Sequence, residues 1–340
     1  MRPPSLQALP PQMLALVACN LALAFGMAAA YPGFATLANA EVVAMGFVLE
    51  AFMALGMTLV IVSGGIDLSV GAVLPFAAIL TASLLRAGVP VPVAALAALA
   101  VAAGVGLLNA GLSVGLRVHP FIVTLGTMLS LKGLNLVLTG GGPIAGLPPG
   151  FAWIGQGHVL GVPIPLLLFA ALAATLAVLM RSHRFWQQAY LIGGNPRAAR
   201  TSGVRVGRVL AVVYAVSAVL AALAGVIAAA SHGSASAGFG QNAELRVITA
   251  VVIGGASLQG GTGSIGGTLL GLSFLALLYN AFAMTGVSTY WQDVVTGVLV
   301  LGSALATELV TRRRARVWPP PPPATPRPRA ASGPAAARRS

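Results

Sequence analysis

Charge is what this chain has least of. Only 7% of its 340 residues are charged, where a soluble domain carries about 25%. Six residues are acidic: Glu41, Glu50, Asp67, Glu244, Asp293 and Glu308. A chain so poor in charge cannot cover itself with a solvated surface, which leaves an integral membrane protein. Lysine occurs once, as Lys132, with Gly133 after it. A phosphate-binding loop G-x-x-x-x-G-K-[ST] needs a lysine followed by Ser or Thr, so these residues contain none. Cysteine also occurs once, as Cys19, which excludes an intrachain disulfide and a cysteine-cluster metal site. No catalytic residue, metal or cofactor is expected, and any ATP is expected on a separate polypeptide. Basic patches interleaved with aromatics on a soluble fold are absent, so nucleic acid is not an expected partner.

What is present is apolar sequence: 57% of residues are hydrophobic and the mean hydropathy is +0.92. A membrane helix takes about 20 apolar residues. Ten stretches approach that length: about 12–31, 42–62, 71–88, 91–115, 120–139, 163–180, 208–231, 244–258, 264–284 and 291–309, the eighth being short. They lack the alternation of a lipid-facing barrel strand. The expected fold is an all-α polytopic membrane protein with about ten spans. The first 30 residues show no cleavage site followed by soluble sequence and read as a retained span rather than a removed signal peptide.

Arginines orient the spans. Segment 181–208 holds Arg181, Arg184, Arg197, Arg200, Arg205 and Arg208 and is placed in the cytoplasm, whereas 140–162 has no Lys or Arg and is placed outside. Parity then puts both termini inside, with Arg312, Arg313, Arg314 and Arg316 on the same side as 181–208; Arg86 is the exception. Tyr290 and Trp291 open the last span as interfacial anchors. Residues 1–311 read as the membrane domain. Residues 312–340, with WPPPPPATPRPRAASGPAAARRS from Trp318, read as a basic, Pro-rich disordered cytoplasmic tail whose arginines can touch anionic lipid.

Two apolar runs are interrupted. Residues 64–71 read GGIDLSVG and residues 254–261 read GGASLQGG. An offset of 190 matches Gly64 to Gly254, Gly65 to Gly255, Leu68 to Leu258 and Gly71 to Gly261. Paired glycine-broken segments point to a transporter's working centre. The candidate path residues are therefore Gly64, Gly65, Asp67, Ser69 and Gly71 with Gly254, Gly255, Ser257, Gly260 and Gly261. Asp67 also suits the N-cap of the following span. Mid-span Glu50 should face the protein interior, be protonated or pair. Gly111 with Gly115, and Gly263 with Gly267 and Gly271, have the spacing of close helix packing. In GGNPRAARTSGV (193–204), Asn195 suits an N-cap, Pro196 a first helical position and Gly203 a stop, with Arg197, Ala198 and Ala199 between. A two-turn helix follows, suited either to docking a protein or to lying on lipid headgroups.

Together, GMTLVIVSGGIDLSVG (56–71), HPFIVTLGTM (119–128), GGNPRAARTSGV (193–204), VVIGGASLQGGTGSIGGTLLG (251–271) and VSTYWQDVVTGVLVL (287–301) resemble the ribose-type sugar permeases of ABC importers, in the branched-chain amino acid/ribose permease superfamily. The resemblance covers about residues 40–309. It implies a bacterial inner-membrane protein and a homodimer, or a pair with a close paralogue, around a central path. It also implies cytoplasmic ATPase subunits docked on short coupling helices, and a periplasmic or extracellular solute-binding protein. Residues 195–203 match the coupling segment, with Arg197 where the family usually has an acid. An ion-coupled secondary transporter or facilitator is the alternative that composition allows. An intramembrane aspartyl protease is disfavoured because Ile66, not Gly, precedes Asp67.

Overall fold

The computed structural model describes residues 11–288 and 290–317. Helices dominate: α1 (Pro11–Ala30), α2 (Leu37–Val62), α3 (Val70–Arg86), α4 (Val91–Gly115), α5 (Pro120–Thr139), α6 (Pro149–Gln156), α7 (Ile164–Ser182), α8 (Arg184–Gly194), α9 (Pro196–Thr201), α10 (Val206–His232), α11 (Ala243–Ile253), α12 (Ile265–Thr285) and α13 (Tyr290–Val317). Four two-residue strands accompany them. β1 (Ile144–Ala145) pairs antiparallel with β4 (Ser234–Ala235), and β2 (His158–Val159) with β3 (Val162–Pro163). Of the described residues, those to Ala304 form one compact unit and 305–317 belong to a second. The Pro-rich sequence from Trp318 lies outside the described residues.

Among the described residues, seven helices are long and apolar enough to cross a membrane: α1, α2, α4, α5, α7, α10 and α12. α3 has 17 residues and α11 only 11. The expected eighth stretch, 244–258, is helical only to Ile253, because the chain turns out of the helix at Gly254 and Gly255.

An almost uniformly greasy sequence still needs places to break, and proline and glycine supply them. Pro lies at the first or second position of α4, α5, α6, α7 and α9, where its missing N–H costs nothing. α2, α3, α5, α9, α11 and α12 each end on a glycine with positive φ: Gly64, Gly88, Gly140, Gly203, Gly255 and Gly286. At α2, Gly64 N–H donates to Ile61 O (2.9 Å) and Gly65 N–H to Val60 O (3.0 Å). This is the Schellman closure, in which a left-handed residue lets the last carbonyls be satisfied.

α10 is the central strut. It packs on α2, α3 and α4, and α2 and α10 are buried along most of their length. Backbone approaches backbone where glycine removes the Cβ. A methyl on Gly56 would come within 2.7 Å of Ser217 Cα, and one on Gly106 within 2.7 Å of Ala215 Cα. Gly225 lies against the Leu74 carbonyl, and Gly267 and Gly271 lie against the Gly254 and Ala250 carbonyls. Gly267 and Gly271 thus form a packing face, whereas Gly263 lies before the start of α12. Gly111 and Gly115 differ: nothing lies within 4 Å of a Cβ added at either. Large apolar side chains point outward along α4, α5 and α7, including Leu96, Leu107, Val137 and Val178, a surface matched to lipid tails.

The glycine geometry makes a paired prediction. Gly225→Ala forces α10 from α3 and should lower stability by about 2 kcal/mol. Gly111→Ala has open space and gains helix propensity of up to about 1 kcal/mol. Thermal unfolding of the two variants in detergent should move the midpoints in opposite directions.

Candidate functional site

The first break is built around Asp67, which is fully buried. Its Oδ1 accepts from the Ser69 N–H (3.1 Å) and the Ser69 hydroxyl (2.5 Å), and its Oδ2 from the Ser217 hydroxyl of α10 (3.1 Å). Ser69 Oγ accepts from Asn109 of α4 (2.9 Å), and Asn109 Oδ1 accepts from Thr127 of α5 (2.6 Å). Thr124 donates to the Ile66 carbonyl at 3.1 Å. One carboxylate thereby ties the α2–α3 connection to three other helices. The expected N-cap role is corrected: α3 is capped by the Ser69 backbone with no side-chain cap bond, and Asp67 closes a tight turn two residues earlier. Buried polar groups must find partners, and here each member finds them within the network.

The two breaks meet. Gly261 N–H donates to the Val62 carbonyl, the last of α2, at 2.9 Å. A Cβ on Gly260 would lie 2.8 Å from both Gly64 Cα and Gly193 Cα, and one on Gly261 3.0 Å from Gly194 Cα. Gly64, Gly193, Gly260 and Gly261 therefore converge backbone on backbone. The sequence echo is also re-registered. The left-handed residues that end α2 and α11 are Gly64 and Gly255, so the backbones correspond one residue later than the best sequence match. Gly65 lies under the Tyr214 ring, Gly71 against the Glu244 carboxylate, and Gly254 against the Gly267 carbonyl. Ser257 Oγ accepts from Gln259 N–H at 3.2 Å, within the second break.

Next to this convergence stands segment 193–204. Asn195 Oδ1 accepts from the N–H groups of Arg197 and Ala198, both at 3.0 Å, Pro196 opens α9, and Gly203 ends it with φ 82°. Ala199 is buried, while Pro196, Arg197, Ala198 and Arg200 are exposed. Within the arginine-rich segment 181–208, where the sequence predicts only the short helix after Asn195, Arg184–Gly194 also folds, as α8, capped by His183 Nδ1 accepting from Phe185 N–H (3.3 Å), with Ala189 and Ile192 buried. The signal was the apolar spacing of Phe185, Ala189 and Ile192 among arginines.

Two further acidic side chains are paired with bases. Glu50 meets Arg246 at 2.6 Å, both largely buried, and Lys132 meets Glu244 at 3.0 Å. Glu50 therefore takes the pairing option. Arg246 was missed from sequence, although Glu244 and Arg246, two residues apart on an 11-residue helix, are the matching opposite charges. Tyr279 and Thr296 share a short hydroxyl hydrogen bond.

A family model described as branched-chain amino acid transport system / permease component matches residues 39–304. The chain belongs to that family. This permease is 39% identical over 259 residues to the ribose import permease protein RbsC of Bacillus subtilis, covering 76% of this chain and 80% of the relative. It is 38% identical over 278 residues to RbsC of Escherichia coli K12, covering 81% and 87%. It is 33% identical over 261 residues to the autoinducer 2 import system permease protein LsrD of E. coli, covering 75% and 79%. No solved structure matches. The permease is a multi-pass protein of the bacterial inner membrane.

Two predictions follow from the polar geometry. Asp67→Ala removes the acceptor for three donors and should cost about 3 kcal/mol, whereas Asp67→Asn keeps one oxygen and should cost less, read as unfolding midpoints in detergent. Arg246→Ala leaves Glu50 buried and alone and should cost about 3–5 kcal/mol. Adding Glu50→Gln should recover part of that loss, measured as a double-mutant cycle.

Proposed function

We propose that this chain is the membrane subunit of an ATP-binding-cassette importer for a monosaccharide or a related small polar solute. Two copies, or this chain and a close paralogue, enclose the path. A separate ATPase docks on α9 from the cytoplasm, and a solute-binding protein delivers from outside. The names of the similar import permeases supply the class of solute. The observation that carries the mechanism is α9: a short, independently capped, exposed helix set directly after Gly193 and Gly194. In this reading the ten apolar stretches are ten spans, helices α1–α5, α7 and α10–α13, with both termini cytoplasmic. Residues 64–71 and 254–261 belong to the moving inner structure of the path. Catalysis lies on the partner: nucleotide favours one ATPase arrangement, and α9 converts that preference into outward or inward opening, by differential affinity for the two states.

α9 carries arginine at 197 and 200, and no acidic residue occurs between Asp67 and Glu244. The docking face is therefore basic, which calls for carboxylates on the ATPase cleft.

Asn195→Ala removes the cap and should weaken α9 by about 1 kcal/mol. ATPase affinity should fall several-fold while the unfolding midpoint of the isolated permease stays within a degree or two. Vesicles carrying the permease alone should show no uptake. Uptake that follows a proton or sodium gradient without ATPase would replace the importer reading with the secondary-transporter one.

A further inference from the structure

We propose that Gly193 and Tyr190, at the end of α8, form the joint through which motion of the docked α9 reaches both broken helices at once. The inference rests on the importer reading above and assigns the residues that transmit its coupling. Gly193 is the second residue before the Asn195 cap, so a displacement of α9 cannot be absorbed in an intervening loop. Its α-carbon sits against the Val62 carbonyl and the Gly261 N–H, the two groups that hydrogen-bond to each other across the breaks. Three residues earlier, the Tyr190 hydroxyl donates to the Gly263 carbonyl at 3.0 Å, in the segment that leads into α12. One helix end thus touches the last turn of α2 on one side and the approach to α12 on the other.

The contacts are backbone on backbone. A side chain can yield by changing rotamer, but an α-carbon packed on a carbonyl can move only if the chain that carries it moves. Core volume does not explain these glycines, because Gly64 is exposed and Gly260 and Gly261 are only partly buried. The neighbouring Gly194 supplies an internal comparison. Nothing lies within 4 Å of a Cβ added there, whereas one on Gly193 would overlap the Val62 carbonyl.

The test uses full-length permease reconstituted in vesicles with its ATPase and binding protein, and labelled ribose with a hexose panel as probes. Solute moved per ATP hydrolysed is measured alongside ATPase docking affinity and the unfolding midpoint. Gly193→Ala should lower the transport-to-hydrolysis ratio at least fivefold with docking within twofold of wild type. Tyr190→Phe, which removes one hydroxyl and keeps the ring, should lower it about threefold with only a small drop in the midpoint. Gly194→Ala should leave it unchanged. If Gly193→Ala does not fold, Tyr190→Phe alone decides: a wild-type ratio there overturns the joint. An equal loss in Gly194→Ala also overturns it, because the effect would then belong to the flexibility of the helix end. A wild type that neither docks the ATPase nor changes its hydrolysis rate overturns the importer reading and this inference with it; a wild type that transports while both variants match it overturns the joint alone.

Discussion

A chain that breaks its helix where protein rather than water surrounds it must satisfy its buried polar groups internally, and the fold rests on how the buried Asp67 carboxylate gathers the donors at the α2–α3 break. Irregular backbone at membrane depth survives only where protein surrounds it. The carboxylate holds the turn between α2 and α3 and draws Ser217, Ser69 and, through Ser69, Asn109 and Thr127 around it. Three helices, α10, α4 and α5, are thereby tied to one break. The remaining architecture, with α10 as strut and α4 and α5 outside, is arranged around that fixed point.

The second break is supported in another way. Few side chains hold 254–264; backbone contacts with α2, α8 and α12 do most of it. One break is thus pinned by a polar network and the other is packed against its neighbours. A pinned turn and a sliding contact are the parts that a two-position device needs, since interfaces of packed backbone settle in discrete arrangements rather than deforming smoothly.

Sequence periodicity and punctuation made much of this legible. The positions of the helices, the Asn195 cap, the Gly203 stop and the two glycine breaks all follow from local rules, because Pro, Gly and Asn act within a few residues of themselves. Partnerships did not follow. Arg246 with Glu50, Lys132 with Glu244, and Ser217 with Asp67 join residues more than 100 positions apart, and spacing within a helix says nothing about which neighbour it meets. Asp67 was read as a cap because a cap is the local use of an aspartate; its carboxylate instead serves Ser69 beside it and Ser217 of α10, and the network reaches α4 and α5 only through Ser69. The G-x-x-x-G at 111–115 shows the same limit, since the motif reports what a helix can accommodate and not what lies beside it.

The convergence of glycines also bears on how such a permease can diverge. Where two side chains meet, a change in one can be compensated by a change in the other, and the pair drifts together through a lineage. Where an α-carbon meets a carbonyl, no second substitution restores the space. Positions 64, 193 and 260 therefore have no partner with which to covary, and a method that infers contacts from correlated change would be blind at the point where three segments of the chain lie closest.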